Sequence, residues 1–401
     1  MNQSFEIKEL RKLIKQNEFW NEPDWENKTI AVCQSISNET FEFEIKKIGS
    51  YFLTESFSNK LILRKLNDNI KRIYKDKQAN RKTIISQIKV LLEETCPYWI
   101  IKTDIKSFYE SIDREKLLKK LQNDNMLSYY SMFLLHKLFT NTTVNTTTGV
   151  LKGMNISATL SEIYLRKFDK WIRNYLGVYF YARFVDDVVI FINNEKNALS
   201  LLENLYEKLG ELAEGLTINI SKTQLFNGNT LEQIPITSGV NIEEKRNFEY
   251  LGYKFVKTKN KKDIILKIGI ADKKVKKIKS RIILSFSDYL KTNDFFLLND
   301  RIKFLTGNHS IKKRKEENSD LRAGIFFNYS ELSDFQVLNE LNQYYRKILF
   351  AKNGNFGTKL NSKLSFDQKE KLKKYCFKNG FIKKIYNVFN YSRISEIVKC
   401  W

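Results

Sequence analysis

Three carboxylates stand out by type and setting. Asp104 closes the short apolar run YWIIKT at residues 98–103, and Asp186-Asp187 interrupt the β-forming stretch YARFVDDVVIF about eighty residues later. A turn between two such apolar runs has no structural need for two negative charges, although an Asp-Asp pair is also common in plain hairpin turns. Adjacent carboxylates raise one another's pKa unless a cation sits between them. Oxygen ligands with no His or Cys nearby favour Mg²⁺ over zinc, with Mn²⁺ as a substitute. Three carboxylates on two strands suit a pair of ions, one acidifying an attacking hydroxyl, the other neutralising a triphosphate and its departing pyrophosphate.

The surrounding chain must deliver these groups to one place. The run ending at Asp104 reads as a strand, and residues 179–185 and 188–192 as a hairpin with the acidic pair at its tip. Asp113 is positioned to cap a helix over 114–122, and residues 155–175 form an amphipathic helix with Ile156, Leu160, Ile163 and Ile172 on one face. Residues 141–153 read as a Thr/Asn/Gly loop, 200–214 as a helix, 217–220 as a strand leading to Lys222, and 248–255 and 263–268 as further strands. Upstream, a helix is expected over 7–16. Leu63, Leu66, Ile70 and Ile73, then Ile84, Ile88, Leu91 and Leu92, mark two apolar helix faces. Between those faces lie Lys71, Arg72, Lys75, Lys77, Arg81 and Lys82, either a solvated surface or a phosphate clamp. Beyond about residue 257 the pattern turns helical and basic, with Lys273, Lys274, Lys276, Lys277, Lys279 and Arg281 crowded together. A composition shift at 310–322 suggests a linker, and the mixed aromatic and basic segment 382–401 suits either base stacking or core packing, core before stacking. Alternating strands and helices followed by helices predict an α+β class with a helical appendage.

Composition narrows the function. A hydrophobic content of 42% and an aromatic content of 13% exclude a disordered chain. Sixty-nine Lys and Arg against 46 Asp and Glu leave a net charge of +23, which points to a polyanion, nucleic acid before acidic membrane. No run of eighteen apolar residues offers a membrane span, and the N-terminal residues lack the apolar core of a secretory signal. Four scattered cysteines form no C-x-x-C pair and suit a reducing cytoplasm, and two histidines leave zinc-finger, HNH-nuclease and His-based hydrolase readings poorly supported.

Over about residues 60–255 the sequence resembles the reverse transcriptase family, through five segments in order. DIKSFYESID (104–113) is similar to its first palm motif and GVLKGMNISATLSEIYL (149–165) to its second. FVDD (184–187) is similar to the third, GLTINISKTQLF (215–226) to the fourth, and FEYLGYKF (248–255) to the primer grip. The resemblance implies a right-hand polymerase of fingers and palm, an antiparallel sheet with helices, followed by an α-helical thumb and C-terminal region. It implies bounds of 1–97 for an N-terminal extension and fingers, and 98–256 for the palm with a fingers insertion at about 114–150. The thumb would occupy 257–315 and a C-terminal helical region 316–401. Asp104, Asp186 and Asp187, with the Ile105 carbonyl, would hold the metals. Tyr109 would be the aromatic gate that excludes a 2′-hydroxyl. Lys152, Gly153 and Ser157 would face nucleotide and template, and Lys222 would be the general acid for pyrophosphate. Arg81 or Lys82 would hold the triphosphate, and Tyr250, Leu251 and Gly252 would shape the primer-grip turn. Two departures stand in the sequence: Leu151-Lys152 where the family often has Pro-Gln, and Phe184-Val185 where Tyr-Ala or Tyr-Met is frequent.

The branch most similar to this chain is the bacterial antiphage group, defence-associated and abortive-infection enzymes. It implies dNTPs as substrate, a DNA primer and product, a noncoding RNA template, and a homo-oligomer or partner protein, without a membrane. Retron enzymes are a poorer match, because TSGV at 237–240 stands in weakly for their Val-Thr-Gly segment. Template-independent or protein-primed DNA synthesis, and a non-catalytic nucleic-acid scaffold, are the competing readings.

Overall fold

The computed structural model describes residues 2–16, 19–75, 79–236, 246–259, 264–311 and 321–401. The chain divides into two compact units. The first comprises Met1–Ile84, Thr95–Asn229 and Gln233–Glu243, and the second Ile85–Glu94, Thr230–Glu232 and Glu244–Trp401. The α+β architecture expected from the sequence is the one found.

The first unit opens with helices Ile7–Gln16, Trp25–Ser37 and Phe57–Tyr74, with a small hairpin of β1 (Lys46–Ile48) and β2 (Tyr51–Leu53) between the last two. Its centre is a five-stranded antiparallel sheet. The strands are β3 (Trp99–Asp104), β4 (Val178–Phe184), β5 (Asp187–Ile192), β6 (Gln224–Asn227) and β7 (Gln233–Ile234), in the order β4-β5-β3-β6-β7. Both faces of the central strands are buried, which explains the unbroken apolar run of Val188–Ile192 rather than an alternating one. One face joins the main core through Ile101, Val188, Ile190 and Leu225, and the other gathers Tyr98, Tyr179 and Phe180 around Phe191. The helix Asn155–Arg173 buries Ile156, Leu160, Ile163 and Ile172 as expected and packs on β4 and on Phe57–Tyr74. A buried bond from Thr159 Oγ1 to Asn67 Oδ1 (2.6 Å) pins the two helices.

Asp113 caps the helix Arg114–Asp124 through the Lys116 N–H at 3.0 Å. Several local expectations need correction. The 141–153 segment contains a short helix, Thr142–Asn145, because the Asn141 side chain accepts from the Thr143 N–H. The helix expected at 200–214 runs Glu195–Leu212, started early by an Asn194 cap. Residues 217–220 form no strand. Only Ile218 pairs, with Ile105, before a 3₁₀ turn at Ile220–Lys222. Asn219 explains the break: its carbonyl accepts from Lys222 N–H and Thr223 Oγ1, and its side chain from Ser221 Oγ, so local bonds compete with the ladder. The helix faces shift as well, with Leu61 and Ile62 buried while Leu63 and Ile73 are only half-buried.

The second unit begins with an antiparallel sheet of β8 (Phe248–Tyr250), β9 (Tyr253–Lys259) and β10 (Ile264–Ile270). The single strand expected over 248–255 is therefore a tight hairpin, turning at Leu251 (φ 45°) and Gly252 (φ 84°). Two positive φ values fit the twist of the flanking strands. The basic helix follows at Asp272–Thr292 and packs against Phe295–Thr306, Gln336–Leu349 and Gly354–Lys363. The C-terminal region is not wholly helical. Strands β11 (Asn308–Ile311), β12 (Leu321–Gly324) and β13 (Tyr386–Phe389) form a mixed sheet. β11 runs antiparallel to β12 and parallel to β13. Residues 312–320, the centre of the expected linker, lie outside the described residues, and their flanks pair with each other as β11 and β12. Lys77 and the 237–240 segment also lie outside them. In segment 382–401, Phe389 and Ile397 are buried, whereas Tyr391 is 76% exposed. No helix among the described residues is long and apolar enough to cross a membrane.

Candidate active site

Strand register places the three acidic residues side by side at one end of the sheet. Asp104, the last residue of β3, lies directly opposite Asp187, the first residue of β5. Directly opposed residues on antiparallel strands hold their Cα atoms about 4.5–5.5 Å apart. The Ile105 N–H donates to the Asp186 carbonyl at 3.1 Å, which fixes the turn residue beside the end of β3.

The hairpin turn is Val185-Asp186, and Asp187 already belongs to β5. Val185 has φ 62°, a left-handed conformation that a β-branched residue rarely adopts. What holds it there is Arg183, which donates from Nη1 to the Val185 carbonyl at 2.9 Å. Arg183 is buried and bridges two acids, Asp169 (2.6 Å) and Glu162 (2.7 Å), both on the Asn155–Arg173 helix, and Tyr181 donates to the same Asp169. Sequence reasoning missed this network. The visible signal was a lone arginine inside an apolar strand, a position that demands buried partners.

Asp104 is 8% exposed, and both of its carboxylate oxygens are engaged. Lys222 Nζ donates to Oδ2 at 2.8 Å and Asn219 Nδ2 to Oδ1 at 3.2 Å. Asn219 also donates its backbone N–H to the Asp104 carbonyl at 2.7 Å, a second role the sequence did not reveal. The hydrogen bond to Asp104 raises the Lys222 pKa above that of an ordinary lysine. Burial, then the charges of Asp186 and Asp104, push Asp187 up to about 6, with Lys102 and Lys222 opposing. Asp186 is raised too, by burial first and then by Asp104.

Among the described residues, no three His, Cys, Asp or Glu side chains form a metal-ligating group. Asp104 is turned to Lys222 and Asn219 instead. The donor chemistry nevertheless fits a hard divalent cation. It consists of carboxylate and carbonyl oxygens, two of the acids are held above their normal pKa by burial and mutual repulsion, and an ammonium sits on the third.

The remaining sequence candidates fall as follows. Tyr109 is half-buried, with its hydroxyl pKa raised by burial, then by Glu162. Its carbonyl accepts from Val150 N–H at 2.7 Å, joining the first and second motif segments. Arg114 ties the same loop down, donating to the carbonyls of Gly149 and Val144 and to Thr147 Oγ1. Ser157 is buried and donates to the Leu151 carbonyl at 2.8 Å, so in this structure it shapes the loop. Lys152 Nζ lies 3.3 Å from Glu110 and 5.6 Å from the Tyr51 ring centre, while its carbonyl accepts from Phe52 N–H at 2.8 Å. Gly153 has φ 98°, and a Cβ there would stand 3.1 Å from the Phe52 carbonyl, so the β2 contact requires glycine. A cavity of about 330 Å³ opens beside Gly153, lined in part by Lys60, Arg64 and Asn67. Arg81 and Lys82 start the helix Arg81–Leu92, where Asn80 Oδ1 accepts from the Lys82 N–H. Tyr250, buried, and Leu251-Gly252 form the β8–β9 turn within the second unit.

Residues 56–255 match the family model described as reverse transcriptase (RNA-dependent DNA polymerase). No curated protein matches the chain. Among solved structures, apo telomerase from Candida tropicalis truncated from the C-terminal domain aligns at 12% identity and a TM-score of 0.36, over 53% of this chain and 44% of that one. Telomerase from Candida albicans in complex with a TWJ fragment of telomeric RNA aligns at 14% identity and a TM-score of 0.37, over 75% of this chain and 46% of that one. This chain therefore spans about half the length of those structures. The family match, with all four palm segments and the FEYLGYKF segment inside its limits, shows that the chain carries a reverse transcriptase domain over residues 56–255.

Proposed function

We propose that this protein is an RNA-directed DNA polymerase that adds deoxynucleotides to a primer 3′ hydroxyl. The observation that carries the reading is the pairing of Asp104 with Asp187 at adjacent strand ends, with Asp186 bonded to Ile105 beside them. Asp104, Asp186, Asp187 and the Ile105 carbonyl would hold two Mg²⁺ ions, which supply Lewis acidity toward hydroxyl and triphosphate. The chain's own groups do the rest. Arg183 and Val185 fix the carboxylate turn. Lys222 carries a proton at Nζ that the departing pyrophosphate can take. Tyr109 would stand beneath the sugar, and Lys152, Gly153 and Ser157 would order the loop that meets template and nucleotide. Arg81, Lys82 and the β8–β9 turn would hold triphosphate and primer.

The narrower assignment, to cytoplasmic antiphage enzymes that copy a noncoding RNA and act as oligomers or with a partner protein, rests on the sequence resemblance. Incubation with a primed RNA template, Mg²⁺ and labelled dNTPs tests the core claim. Incorporation should depend on the template and drop by at least three orders of magnitude in Asp186→Asn, on the order of the loss of a group acting only in the transition state. Template-independent products would replace this reading with untemplated synthesis. Equal incorporation by the variant would remove Asp186 from the chemistry.

A further inference from the structure

The second unit contains a cationic recess that the carboxylate site does not use. Lys274, Lys277, Ile278 and Arg281 share one face of the Asp272–Thr292 helix and line a cavity of about 210 Å³ together with Phe304 and His309. No acidic side chain is among the described lining residues. Two of the lining groups hold buried nitrogens without a hydrogen-bond partner, Nε of Arg281 and Nδ1 of His309. His309 is only 6% exposed. An unpaired buried polar atom carries a desolvation cost that a complementary ligand relieves. Both groups are also held in place. The His309 ring stacks on Phe304 at 3.8 Å between centres, and the Arg281 guanidinium lies 4.8 Å from the Trp401 ring centre. Burial pushes His309 down to about 4, so the ring is neutral at pH 7 and can place its one proton on Nδ1, ready to donate.

We propose that this recess binds the terminal phosphate of a nucleic-acid strand. A phosphate monoester offers three oxygens and nearly two charges, and its chain leaves on one side only. An internal phosphodiester offers two free oxygens and leaves on both sides, so it suits a groove rather than a recess. A free nucleotide carries the same monoester. The site shares no residue with the carboxylate hairpin, so it stands apart from the polymerase reading.

The test uses the full chain without divalent ions and three 12-mer strands with an internal fluorophore, bearing a 5′-phosphate, a 3′-phosphate or neither. Binding is read by fluorescence anisotropy. One phosphorylated end should bind roughly ten-fold tighter than the strand with two hydroxyl ends, as one or two charge-assisted hydrogen bonds provide. Lys277→Gln, at an exposed position that leaves the fold intact, and Arg281→Gln should each erase that preference while leaving the hydroxyl-ended strand within two-fold of its original affinity. AMP that displaces the phosphorylated strand down to the level of the hydroxyl-ended one would support the site and extend it to free nucleotides. Equal binding of all three strands, or an equal loss for all three in both variants, would overturn the proposal. Asp186→Asn should keep the preference, so a failure here is separable from a failure of the polymerase reading.

Discussion

Arg183 shows how much of the candidate site depends on groups that carry no chemistry of their own. Its guanidinium is desolvated between Asp169 and Glu162, and its remaining donor holds the carbonyl of a valine in left-handed backbone. Removing one partner from a buried ion network leaves the others charged and uncompensated, at a cost of about 3–5 kcal/mol. Arg183→Met should lower unfolding free energy by about that amount in urea denaturation. A loss under about 1 kcal/mol, the range of exposed ion pairs, would show that Asp169 and Glu162 do not need it. Lys222 is a different case. Its side chain is largely exposed, so its bond to Asp104 is a readily exchanged contact rather than a source of stability.

At the scale of elements, the second-motif loop is set by what cannot fit. A Cβ on Gly149 would lie 2.1 Å from the Tyr109 carbonyl, and the residue has φ 74°. Both the space and the backbone conformation exclude a side chain. Gly149→Ala should therefore displace the Tyr109 segment and cost about 2–4 kcal/mol, more than the roughly 1 kcal/mol of a positive φ alone. A melting curve within 1 °C of the parent would contradict the close approach. The helices beside the candidate site were legible because their caps and periodic apolar faces are local, as with Asp113 and the Asn155–Arg173 face. The β11–β13 pairing was not legible. NHSI is a polar four-residue strand, and its partner lies more than seventy residues downstream, beyond any local signal.

For the whole molecule, a net charge of +23 makes polyanion binding an electrostatic matter. If several phosphates are neutralised, affinity for single- or double-stranded nucleic acid should fall on the order of a hundred-fold or more between 50 and 200 mM KCl. Anisotropy titrations across that range measure the slope, and a flat response would place the lysines outside the interface. The sequence by itself determined the chemical types at the candidate site, the order of the five motif segments, and the strands and helices that carry Asp104, Asp113 and the Asp186-Asp187 pair, because those follow from side-chain identity and near-neighbour spacing. Tertiary structure alone decided that Asp104 faces Asp187, that Lys222 and Asn219 occupy its oxygens, and that His309 is buried beside a lysine-lined helix. Those facts depend on strand register and on the burial of segments far apart in the chain, and both are settled only when distant surfaces pack and exclude water.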